Sequence, residues 1–110
     1  MKIDYLKSVI EKENIDICFE QESHIDNNNL GKFIERRLNA KMSYTDNSKH
    51  KGVGIVINNS FDCDVKHVDF DSFGRYVCVD LKFNDYEIRC ISIYAPNNEK
   101  ERKDFFSGYI

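Results

Sequence analysis

The residues Val53-Gly54-Ile55-Val56-Ile57, entered from Gly52, form an apolar run with no polar interruption. A half-buried strand alternates apolar and polar side chains, whereas a strand covered on both faces does not. The run therefore reads as a doubly covered strand, for which the rest of the chain has to supply the cover. Upstream, Leu6, Val9 and Ile10 recur at helical spacing; Asp4 suits the N-cap of that helix and Asn14 its C-terminal end. Ile15, Ile17 and Phe19 then alternate with Asp16, Cys18 and Glu20, which is strand periodicity. After a polar loop at Asp26 to Asn29, a second helix carries Leu30, Phe33, Ile34 and Leu38 on one face, slightly weakened by Gly31.

Beyond Lys41 the pattern changes to strands: Met42 to Thr45, the apolar run, and an alternating segment from Val65 to Phe70. Asp71-Ser72-Phe73-Gly74 has turn chemistry, and Tyr76 to Phe83 with Tyr86 to Tyr94 forms a hairpin around Asn84-Asp85. Pro96-Asn97-Asn98 stops the last strand, and Glu99 to Tyr109 reads as a third helix. The order predicts an α/β fold of one domain at most, with about five strands in antiparallel succession after the second helix. Both ends are expected to be cut through structure: a helix opens the chain without the strand that ordinarily precedes it, and Gly108, Tyr109 and Ile110 close it with no polar tail.

Composition narrows the chemistry. No apolar run approaches bilayer length and no signal-peptide pattern follows Met1, so no membrane association is expected and an intracellular location, nuclear or cytoplasmic, is. Cys18, Cys63, Cys78 and Cys90 have no CxxC spacing, which argues against zinc and for free thiols, with Cys78 and Cys90 as candidate cross-strand neighbours. A net charge of −3 gives no global nucleic-acid footprint. Basic residues do cluster, at Lys32, Arg36, Arg37 and Lys41 and again at Lys49, His50 and Lys51. Taken singly they are a solvated helix face and a polar loop; together they are the local patches a DNA backbone requires.

Two strings carry the chemistry. Gln21-Glu22-Ser23-His24 follows the first strand and Ile93-Tyr94-Ala95-Pro96-Asn97 closes the last. Glu22 and Tyr94 thus both project from strand ends, and a carboxylate and a phenol at one rim of a sheet suit a metal ion and a phosphate. Alone, Glu22 is an exposed strand-end glutamate and Tyr94 a half-buried aromatic.

The series Asp16 to His24, Lys51-Gly52-Val53-Gly54-Ile55-Val56-Ile57, Gly74-Arg75-Tyr76-Val77 and Ile93-Tyr94-Ala95-Pro96-Asn97 resembles the endonuclease/exonuclease/phosphatase superfamily. Within it, the series is most similar to the apurinic-endonuclease-like domain of LINE-type non-LTR retrotransposon proteins. The resemblance runs from Ile3 to Phe106 and spans about the first half of such a domain. It implies a truncated part of a four-layer α/β/β/α sandwich with mainly antiparallel strands, residues 1–110 lacking the first strand and the C-terminal half. It also implies a Mg²⁺-dependent DNA endonuclease, with Mn²⁺ as a substitute metal, that nicks target DNA for retrotransposition.

By the same resemblance Glu22 is a metal ligand, in a string where Ser23 replaces threonine, and Tyr94 donates to the scissile phosphate. His24 and Asn97 lie near phosphate or DNA, Asn97 chiefly as a turn residue, and Arg75 is structural. The family's first-strand Asn has no counterpart before the first helix, and no Asp-x-Asn string follows Asn97 to position water. No general base is assignable, so the chain alone is expected to be inactive, with the missing half in the parent polypeptide, and prone to aggregation through an exposed apolar face and open strand edges. The alternatives are another phosphodiesterase of the superfamily, acting on abasic DNA, a phosphoinositide or a nucleotide, and a non-enzymatic decayed gene product or binding module.

Overall fold

A computed structural model describes residues 2–21, 24–25, 27–45 and 52–94. Glu22, Asn97, the second basic cluster and the expected helix at 99–109 lie outside the described residues. Among the described residues two helices and six strands follow one another as α1 (Ile3–Lys12), β1 (Ile17–Gln21), α2 (Asn28–Leu38), β2 (Ala40–Tyr44), β3 (Val53–Asn58), β4 (Asp64–Phe70), β5 (Tyr76–Phe83) and β6 (Tyr86–Ile93). The strands form two sheets, ordered β1-β3-β2 and β4-β5-β6, and every pairing is antiparallel.

The apolar run at 53–57 is the hub. Side chains alternate across a strand, so β3 turns Val53, Ile55 and Ile57 to the second sheet, where they meet Val77, Val79, Leu81 and Cys90. Val56 points the other way, into a second core with Ile10, Ile34 and Leu38 of the helices and Ala40 and Met42 of β2. Helices, first sheet and second sheet therefore stack in that order. Cover on both faces explains why this strand carries no polar alternation.

Several expectations change on contact with the structure. Asp4 does not cap α1: Lys2 holds the N-cap position without a side-chain bond, and Asp4 lies in the first turn, 2.9 Å from Arg37 of α2. The cross-helix ion pair takes the carboxylate that a cap would have used. Asn14 has a left-handed φ of 52°, as suits a helix end. β1 begins at Ile17 rather than Ile15, because Ile15 donates its N–H to Ile10 and its carbonyl accepts from the Asn58 side chain. Phe33, placed by periodicity on the buried face of α2, is half exposed. β4 is exposed along nearly its whole length, with a register shift between His67 and Asp69, since it is an edge strand reaching the core only through Val65. Cys78 pairs with Ile91 and Cys90 with Val79, so the two thiols sit on opposite faces and are not a cross-strand pair.

Gly31 has a use that its helix propensity conceals. The Tyr44 side chain lies directly over it, with its hydroxyl donating to Asn28 Oδ1 at 3.1 Å, and a Cβ at position 31 would overlap the phenol ring. Gly31→Ala gains about 1 kcal/mol of helix propensity but forces the ring off its seat, and overpacking typically costs about 1–3 kcal/mol. The expected outcome is a lower urea midpoint than wild type, and a raised midpoint would refute the packing role.

Candidate functional site

The strand registers bring a set of distant segments to one end of the fold. β1 ends at Gln21 opposite Val53, where β3 begins, and β2 ends at Tyr44 opposite Gly54. In the second sheet β5 begins at Tyr76 opposite Ile93, where β6 ends, and β4 ends at Phe70 opposite Val77. Two hydrogen bonds join the sheets there: Gln21 Nε2 donates to the Ile93 carbonyl at 3.1 Å, and Ser92 Oγ donates to the Glu20 carbonyl at 3.5 Å. These strand ends thus share a single rim. The connections 22–27, 45–52 and 71–75, and the chain beyond Tyr94, all leave from it.

Tyr94 is half-buried at this rim. Its ring packs against the core between the sheets, and its N–H donates to the Arg75 carbonyl at 2.8 Å. Arg75 is held by its own turn, where its guanidinium pairs with Asp71 and lies 5.2 Å from the centroid of the Phe73 ring. Gly74 completes the turn with φ of 80°, a left-handed conformation that glycine adopts without strain, and its N–H reaches the Asp71 carbonyl at 2.9 Å. The structural role expected for Arg75 is therefore concrete: a pinned turn presents a carbonyl that fixes Tyr94.

His24 is exposed, with φ of 54°, and projects from the connection that follows β1. Of the other residues named from sequence, Glu22 and Asn97 fall outside the described residues, while Gln21, Ile93 and Tyr94 are brought to the same rim. Two further positions anchor that rim. Ile25 is 2% exposed and plugs the helix-side core, tying down the connection between β1 and α2. A lone apolar residue in a polar loop was the available signal. Thr45 is 1% exposed, and its hydroxyl oxygen accepts from Val53 N–H at 3.0 Å, clamping the ends of the connection 45–52. No sequence pattern marks Thr45.

Electrostatics narrow what the rim can do. Burial pushes all four thiols upward, Cys18 further so by Glu20, and thiols held protonated are neither nucleophiles nor ready metal ligands at neutral pH. Burial likewise raises Glu20, whose backbone pairs with Gly54. Asp71 moves the opposite way: the Arg75 guanidinium and the N–H groups of Phe73 and Arg75 hold its carboxyl below the usual range. Among the described residues no group of three or more His, Cys, Asp or Glu side chains could hold a metal ion. A Mg²⁺ ion does not demand one, since one or two carboxylates with water and phosphate oxygens suffice. The residue that follows Gln21 in sequence, Glu22, is a carboxylate and lies outside the described residues.

A concavity lies elsewhere among the described residues. A groove of about 470 Å³ is lined by Lys66, Lys82, Arg89, Asp64, Asp80 and Glu87 on the face of the second sheet turned away from the first. Its cations and anions balance, and Arg89 is paired with Asp80 at 2.8 Å. Its position near the β5–β6 turn sets it apart from the rim. Among the described residues no helix is long and apolar enough to cross a membrane. Neither the protein-family models nor the curated proteins give a match to this chain.

A pH dependence follows from the Asp71 turn. Its carboxyl is depressed in the folded state, so the stabilisation is present above the unfolded value of about 3.9 and is lost as pH falls through the lower folded value. Asp71→Asn should melt below wild type at neutral pH, and the gap should close as the solution is acidified below about pH 4. A gap that stays constant down to pH 2 would show that the carboxylate charge has no part in holding the turn.

Proposed function

We propose that this chain carries part of a Mg²⁺-dependent phosphodiesterase site, with DNA as the substrate and strand nicking as the reaction of the parent polypeptide. The carrying observation is the hydrogen bond from Gln21 to Ile93, 72 positions apart, which joins the residues that immediately precede Glu22 and Tyr94. On this reading Glu22 supplies a hard oxygen to the metal, and Tyr94 donates its phenolic proton to a non-bridging phosphate oxygen as charge builds there. The bound metal supplies charge neutralisation and orientation of the phosphate. His24 and Asn97 flank the phosphate path, Asn97 chiefly as a turn residue.

The strings that resemble the endonuclease/exonuclease/phosphatase superfamily support the same assignment, and the retrotransposition role rests on that resemblance alone. We further propose that the complete architecture is a four-layer α/β/β/α sandwich. The support is the second sheet's outward face, where Ile91 is 49% exposed beside buried Cys78 and a further layer would cover it. Exposed Lys32 and Arg36 on α2 offer cations to a nucleic-acid backbone, whereas Arg37 is engaged by Asp4.

The test is paramagnetic. Mn²⁺ added to the 110-residue chain should broaden the Tyr94 ring resonances, and Glu22→Ala should abolish that broadening. Unchanged broadening in the variant would remove Glu22 from any metal site. A companion assay uses supercoiled plasmid and Mg²⁺: no nicking by this chain alone is expected, since loss of catalytic groups that act as a unit costs several orders of magnitude in rate. Robust nicking that disappears in Glu22→Ala would show that the chain holds a water-activating group not assigned above.

A further inference from the structure

We infer that the open edge of β6 pairs antiparallel with the β6 edge of a second copy of this chain, about a twofold axis at Ile88. The backbone sets which groups that edge offers. Tyr94 donates its N–H to the Arg75 carbonyl, on the β5 side. In an antiparallel ladder the N–H and C=O of one residue point the same way, and successive residues alternate. The register of β6 on β5 is unbroken from Tyr86 to Ile93. Ile88, Cys90 and Ser92 therefore bond to β5, while Glu87, Arg89, Ile91 and Ile93 aim their backbone groups out of the sheet. Gln21 takes the Ile93 carbonyl, and the groups of Glu87, Arg89 and Ile91 meet no backbone partner among the described residues. A row of that kind is a template for another strand. The other described edges are poorer templates: β4 carries a register shift between His67 and Asp69, and β1 and β2 run for five residues each against eight in β6.

Charge complementarity selects both the occupant and the register. On the outward face of the second sheet Lys66 stands opposite Asp80, and Asp80 opposite Arg89. In the next row Asp64 stands opposite Lys82, and Lys82 opposite Glu87. Each row alternates in sign across three strands; one reaches the β6 edge as a cation and the other as an anion. A twofold axis at Ile88 sets Glu87 against Arg89 of the second copy, twice by symmetry, and joins one row to the other. The alternation then continues across six strands, from Lys66, Asp80 and Arg89 to Glu87, Lys82 and Asp64 of the second copy. Glu87 and Arg89 are also outward-bonding residues, so the register that matches the charges forms the ladder bonds between them. An axis at Glu87 or Arg89 would oppose like charges, and one at Cys90 would set both charges against isoleucines. On the inter-sheet side the axis brings Ile88, which is 38% exposed, against its own copy. Phe19 of β1, half exposed on that same side, gains cover along the joined flank.

Sedimentation velocity of the 110-residue chain at low ionic strength should show a monomer–dimer equilibrium. Glu87→Arg or Arg89→Glu turns both symmetry-related pairs from attraction to repulsion and should weaken the dimer about tenfold or more. An equimolar mixture of the two variants should restore it, because each offers the sign that the other lacks. Arg89→Glu faces Asp80 within its own sheet. Should that variant melt well below wild type, amide exchange replaces the mixture. Exchange at Glu87 and Arg89 should slow as wild-type concentration rises and should not do so in Glu87→Arg. Wild-type chain that stays monomeric at millimolar concentration would overturn the pairing. So would single variants that dimerise as wild type does, a mixture no tighter than either variant alone, or amide exchange at Glu87 and Arg89 that ignores concentration. Growth beyond a dimer would overturn it too, since a twofold edge contact closes on itself.

Discussion

Burial of β3 on both faces is the constraint on which the rest of the structure depends. Its residues are shared between two cores: Val53, Ile55 and Ile57 against the second sheet, Val56 against the helices. A strand in that position cannot slip by one residue, because every side chain would exchange cores. Once its register is fixed, the neighbouring strands are fixed too, β1 with Gln21 at Val53 and β2 with Tyr44 at Gly54. The rim therefore inherits its order from the most deeply buried segment of the chain. Val53 belongs to both descriptions, being fully buried in the inter-sheet core while its N–H is clamped by the Thr45 hydroxyl at the rim.

Local patterns in the sequence were faithful where a single driving force decided the outcome. The unbroken apolar run became the central strand, and Asn84 turns the β5–β6 hairpin with φ of 52°, as the short polar link predicts. They misled where long-range partners competed. The Asp4 carboxylate suited a cap, yet Arg37 lies 33 positions away and captures it, a choice invisible to any local rule. The alternation in β4 reads as half-buried, but an edge strand with a bulge has little to bury against. Cys78 and Cys90 stand close on paper, and a one-residue difference in register puts them back to back.

The candidate site was legible only as a set of separate strings. Spacing within Gln21 to His24, or within Ile93 to Asn97, says nothing about whether the two meet. Their approach is a property of sheet topology, since β1 pairs with β3 in one sheet while β6 pairs with β5 in the other, and the two sheets face one another. The anchoring residues were less legible still. Arg75 acts on Tyr94 through a backbone carbonyl, and any residue type offers one; the side chain matters because its pairing with Asp71 and its stacking over Phe73 hold that carbonyl in place.

The two ends of the sandwich differ in how the strands are connected, and the difference supports placing the proposed site at one of them. At the far end, β5 and β6 are joined by the two-residue link Asn84-Asp85, and the nearby groove carries as many cations as anions, with Arg89 paired to Asp80. At the rim, connections leave the sheets from anchored points, with Ile25 and Thr45 buried and Asp71 pinned by Arg75. Polar side chains carried on connections can meet a ligand without placing unpaired groups in either core. Of the two groups proposed to meet a metal and a phosphate, Tyr94 also packs its ring against the inter-sheet core, so a substitution there that separates ligand binding from folding must keep the ring, as Tyr94→Phe does.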